Sequence, residues 1–105
     1  MLELKLILHQ EKVISFCQRW QIKELALFGS VLRADFRPDS DVDVLVDFQP
    51  EVRWSLFDLV DMYEELKQIF QREVDLITRR SLYYSLNPKR SQAILSTAQV
   101  IYATA

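Results

Sequence analysis

"FGSVLRADFRPDSDVDVLVDF", residues 28–48, holds the chain's one glycine, at position 29, and follows it with five aspartates. Average usage of about 7% would give a chain of this length roughly seven glycines, so the single copy marks a place where a side chain is not tolerated. Gly29 follows "IKELALF", residues 22–28, whose Ile22, Leu25, Leu27 and Phe28 suit a buried strand. At the end of such a strand, glycine lets the backbone approach a ligand closely or take up positive φ, and Ser30 adds a hydroxyl beside exposed amides. The pair suits a phosphate, although a plain strand-ending turn gives the same dipeptide.

The aspartates carry more weight. "DVDVLVDF", residues 41–48, alternates, with Val42, Val44, Val46 and Phe48 on one face and Asp41, Asp43, Leu45 and Asp47 on the other. The carboxylates of Asp41 and Asp43 share a face, about 6.5 Å apart along the strand at roughly 3.3 Å per residue. In a central strand both are costly to bury unless a cation compensates them. Magnesium suits that task, because it accepts one or two carboxylates and completes its octahedron with waters and substrate phosphates. An edge strand with solvated acids is the alternative.

"EVDLIT", residues 73–78, repeats the pattern in a further strand, with Asp75 on the face opposite Val74 and Leu76. Pairing beside residues 41–47 brings a third carboxylate to the same place. Three acids around one or two metals can align an attacking oxygen with a phosphorus centre. Asp75 then either ligates the metal or helps deprotonate the acceptor hydroxyl. Asp47, four residues beyond Asp43, stands about 13 Å away and outside that site.

The flanking elements complete an α/β (α+β) layer, a small mixed sheet covered by helices. Residues 10–20 place Val13, Ile14, Cys17 and Trp20 at helical spacing. Ser30 can cap a short helical turn, and residues 37–40, "RPDS", read as a turn shaped by Asp39. A long helix begins near residue 54, with Phe57, Val60, Tyr63, Leu66 and Phe70 as its buried stripe and Asp58, Asp61 and Glu65 on a solvated face. Asn87 and Pro88 form an N-cap and first position for a last helix through residue 102. For Tyr83 and Tyr84, packing is preferred over partner contact or modification.

Composition narrows the field. At 105 residues, 50% hydrophobic and 27% charged, the chain suits one domain over residues 1–105, without a separate substrate domain. A net charge of −2 without a lysine or arginine cluster disfavours direct nucleic-acid binding. No apolar run spans a bilayer and no secretory signal is visible, so a cytoplasmic location is expected. Cys17 is the single cysteine and reads as a small apolar helix residue.

"GSVLRADFRPDSDVD" resembles the glycine-serine, ten residues, D-x-D signature of the polymerase-β-like nucleotidyltransferases. With the short length, the chain is similar to the minimal nucleotidyltransferases, the MntA-type antitoxins paired with HEPN ribonuclease toxins. The resemblance covers most of the chain, through "REVDLIT" to the terminal helix. It implies that Gly29 and Ser30 hold ATP phosphates, that Asp41 and Asp43 bind Mg2+, and that Asp75 completes the catalytic triad. It also implies that Arg33 contacts nucleotide phosphate or partner, and that AMP passes from ATP to a tyrosine hydroxyl of the cognate toxin. Neutralisation by binding and occlusion alone is the alternative, motivated by the apolar residues of the helix over 54–70. Homodimer and hetero-oligomer with the toxin both stay open.

Overall fold

The computed structural model describes residues 10–29 and 41–104. The expected helical turn after Ser30, the turn at 37–40, and Ser30, Arg33 and Asp39 themselves lie outside the described residues. The elements are α1 (Gln10–Arg19), β1 (Ile22–Phe28), β2 (Val42–Phe48), α2 (Leu56–Phe70), β3 (Val74–Thr78), α3 (Arg79–Tyr83), α4 (Pro88–Thr97) and β4 (Gln99–Ala103). They build one four-stranded sheet in the order β3-β2-β1-β4. β1 runs antiparallel to both β2 and β4, whereas β2 and β3 are parallel. The sheet is therefore mixed, as expected, and β2 is an inner strand. The parallel pair needs a crossover, which α2 supplies.

Each face of the sheet carries its own apolar cluster. Val42, Val44 and Val46, each 0% exposed, meet Leu25 and Leu27 of β1, Val13, Phe16 and Cys17 of α1, and Met62 and Leu66 of α2. On the other face Leu45, Ala26 and Phe28 pack under Leu82 of α3 and Ile94 of α4. Burial of this kind contributes roughly 1.5–3 kcal/mol per large side chain. Cys17 belongs to the first cluster, and burial pushes its thiol up to about 12, which makes it inert as a nucleophile.

Two Trp residues tie the helices together across the loop before α2. Their rings meet edge to face, with centroids 5.1 Å apart. Trp54 Nε1 donates to Trp20 O (3.0 Å), and Trp20 Nε1 donates to Glu65 Oε2 (2.6 Å). Glu65 also pairs with Arg19. It is thus half-buried and doubly engaged, rather than one of the solvated acids the sequence suggests.

Two further expectations fail. The buried residues of α2 are Met62, Leu66, Ile69 and Phe70, whereas Phe57 is 83% and Val60 50% exposed. Stepping three residues at a time from 57 to 66 falls short of a full turn at each step. At about 100° per residue, Phe57 ends half a turn away from Leu66. The last helix stops at Thr97, and Gln99–Ala103 forms β4 along β1. Its Val100, Ile101 and Tyr102 have strand propensity, and pairing with β1 decides the matter.

The starts of α2 and α4 are locally encoded. Asn87 Oδ1 accepts from Arg90 N (3.2 Å), with Pro88 in the first turn, as the sequence implies. Ser55 and Asp58 form a reciprocal capping box, so Asp58 is a helix-starting residue as well as a surface acid.

The phase of α2 is open to measurement. Met62→Ala should lower the unfolding free energy by about 2–5 kcal/mol in urea titration, and Phe57→Ala should change it by less than about 0.5 kcal/mol. The reverse order would return Phe57 to the core.

Candidate active site

The two key carboxylates meet because of register. In the β2–β3 ladder Asp43 stands opposite Asp75, with Val42 opposite Val74 and Val44 opposite Leu76. Paired residues of neighbouring strands project to the same side, about 4.8 Å apart. Because Val42 and Val74 belong to the α1–α2 cluster, Asp43 and Asp75 occupy the face covered by α3 and α4. Asp43 is half-buried, and Asp75 and Asp41 are exposed. Asp41 precedes β2, where alternation places it on Asp43's side.

Gly29 completes this corner. Phe28 is the register partner of Asp43, and Gly29 follows it with φ +72°. A Cβ at position 29 would fall on Asp43 Oδ2 and lie 3.0 Å from its Cγ. The positive φ expected of the glycine holds, and the close approach seen here is to a carboxylate of the protein itself rather than to a ligand. Among the described residues, no three carboxylate, thiol or imidazole side chains stand close enough to be a ready-made metal cage.

Asp47 takes a different part. It lies beside Arg79, with Nη1 at 3.6 Å from Oδ2, and the same guanidinium is 3.8 Å from Glu24 Oε1. It is a structural acid at the far end of β2, as its distance from Asp43 implied. Leu45 between them is covered by the second apolar cluster, so one strand face carries an acidic end, an apolar middle and an ion-paired end.

Sequence reasoning missed the clamp that holds β3 in register. Val42 N donates to Glu73 O (2.9 Å), which sets the first rung of the parallel ladder. The side chain of Glu73 accepts from Tyr63 Oη (2.8 Å) and lies 3.3 Å from Lys67 Nζ. The Tyr63 hydroxyl, then Lys67, hold the Glu73 carboxyl below its ordinary value. No short sequence motif announces this contact, because residues 63 and 73 lie on different elements. Tyr83 and Tyr84 are 79% and 76% exposed, so the packing preferred for them from sequence does not hold.

With the corner described, its kinship is clear. A nucleotidyltransferase-domain family model matches residues 11–101, and the chain belongs to that family. A Methanocaldococcus jannaschii protein provisionally named a protein adenylyltransferase is 35% identical over 81 residues, 77% of this chain and 80% of its own. Protein adenylyltransferase MntA of Thermococcus cleftensis is 38% identical over 65 residues, 62% of this chain and 64% of its own. A solved minimal nucleotidyltransferase superposes with a TM-score of 0.71 at 31% identity, covering 93% of this chain and 94% of the other. A structure of a tri-AMPylated Shewanella oneidensis HEPN toxin with its MNT antitoxin shares the fold, with a TM-score of 0.64 at 18% identity, covering 93% of this chain and 72% of the other.

Two outcomes test the corner without reference to catalysis. Gly29→Ala should destabilise the protein by more than about 1 kcal/mol, and Asp43→Ala should relieve part of that loss. Denaturant titrations should show the two changes coupled by at least about 0.5 kcal/mol; strict additivity would mean that Asp43 does not press on Gly29. Glu73→Gln should cost a small amount of stability, the clamp being exposed. A depressed carboxyl stabilises the fold above its unfolded value. The deficit should therefore be full above pH 4.5, the ordinary value, and fade as acid takes the wild type through the lowered folded value. A deficit independent of pH would contradict the assignment.

Proposed function

We propose that this chain is a single-domain protein adenylyltransferase antitoxin. It transfers AMP from ATP to a tyrosine hydroxyl of a cognate HEPN-type ribonuclease toxin. The observation that carries this reading is the pairing of Asp43 with Asp75 beside Gly29, in a chain of the nucleotidyltransferase family. Relatives named protein adenylyltransferase support the reaction class. Structures that share the fold, one of an AMPylated HEPN toxin with its MNT antitoxin and one of a toxin-antitoxin with AMP-PNP, support a toxin and ATP as the two substrates.

In this reading Gly29 and Ser30 present backbone amides and a hydroxyl to the ATP phosphates, and Arg33 adds a cation to phosphate or partner. Asp41 and Asp43, with Asp75 beside Asp43 in the ladder, would hold Mg2+, whose charge would offset that of the triphosphate. The tyrosine oxygen forms a bond to the α-phosphorus as the bond from that phosphorus to the bridging oxygen breaks, in line, and pyrophosphate leaves. The tyrosine proton passes to the Asp75 carboxylate. Such chemistry is served by a cytoplasmic ATP supply.

Occlusion of the toxin without transfer is the second reading. The observation in its favour is the exposure of Leu56, Phe57 and Val60 on one end of α2.

Intact-mass spectrometry of the toxin after incubation with this chain, ATP and magnesium should show whole AMP additions. Asp41→Asn with Asp43→Asn should reduce them to background with the circular dichroism unchanged. Retained transfer would reject the assigned metal oxygens, and neutralisation without any AMP addition would select occlusion.

A further inference from the structure

Two recesses border α2 and share Leu59 and Thr78 as lining residues, which makes them one trough. The first, about 350 Å³, runs between the start of α2 and β3, past Leu56, Val60, Tyr63 and Leu76, and reaches Asp75. The second, about 260 Å³, continues to Arg53 and Arg80. The middle is apolar and open to solvent, with Leu56 75% and Val60 50% exposed. The far end is cationic. Among the described residues, Arg80 makes no ion pair and Arg53 donates to the carbonyls of Pro50 and Val52, both at 3.0 Å. Asp47, the one acid lining that end, already lies beside Arg79.

We propose that this trough is the docking surface for the acceptor protein, a partner segment with apolar residues for Leu56, Leu59 and Val60 and a carboxylate for Arg53 and Arg80. The identity of the occupant rests on the adenylyl transfer proposed above. Two features select it. The trough ends at Asp75 on β3, the outer strand of the sheet, so a segment lying there reaches the Asp43 face by crossing one strand edge. Its charge then asks for an acidic partner at the end away from the reacting hydroxyl. A second copy of this chain seated in the trough would instead cover the edge at Asp75 and exclude the acceptor.

The test uses the full chain and its cognate toxin, with two variants: Leu56→Asp with Val60→Asp, and Arg53→Glu with Arg80→Glu. All four positions are exposed, so thermal unfolding should match the wild type. Each variant should bind the toxin at least about tenfold more weakly by calorimetry, raise the KM for toxin, and bind Mg-ATP as the wild type does. Unchanged toxin affinity in both variants would overturn the proposal, as would loss of self-association alone. Toxin binding that is lost in the variants, with no AMP transfer even by the wild type, would sink the transferase reading and still uphold the trough.

Discussion

The Asp43 carboxylate fills the space that any side chain at position 29 would need, and the rest of the site follows from that contact. The contact exists because β1 and β2 are paired antiparallel with Phe28 opposite Asp43, so the end of one strand comes to rest against the acid of the other. Only a residue without a Cβ, and tolerant of a φ of +72°, can follow Phe28 there. Gly29 is therefore needed twice, once for its conformation and once for its emptiness. Its backbone is left beside a carboxylate.

The same strand does two jobs because its side chains alternate. Val42, Val44 and Val46 are sealed under α1 and α2 and fix β2 rigidly in the middle of the sheet. Asp43 on the reverse side is thereby held by the most buried part of the fold, as a preorganised group should be. On that reverse side α3 and α4 cover only the middle, at Leu45, and leave the two ends of the strand for charge. Asp47 at one end lies beside Arg79, and Asp43 at the other stands opposite Asp75. The clamp of Tyr63 and Lys67 on Glu73 secures the start of β3, which sets where Asp75 stands.

What was legible in the sequence was local and periodic. Alternation over most of residues 41–48 pointed to β2 and the face of each aspartate, and scarcity singled out Gly29. Asn87–Pro88 declared a helix start because cap chemistry involves only neighbouring residues. What was hidden depends on distant partners. Gln99–Ala103 is a strand because β1 offers it an edge, and its own residues tolerate a helix as well. Glu65 is drawn inward by Trp20 and Arg19, which lie far from it in the chain. Phe57 joined the expected buried stripe by steps of three residues, yet helix geometry turns it half round from Leu66. The five residues of α3 were too few for any period to show.

The central claim is that residues 29, 43 and 75 surround one metal-nucleotide site. It is tested most directly by substituting Mn2+ for Mg2+ in the presence of AMP-PNP and reading paramagnetic broadening of backbone amide signals. Signals of Gly29, Asp43 and Asp75 should broaden most, with the effect falling off along β2 towards Asp47, about 13 Å from Asp43. Broadening centred on Asp47, or spread evenly over the surface acids, would contradict it.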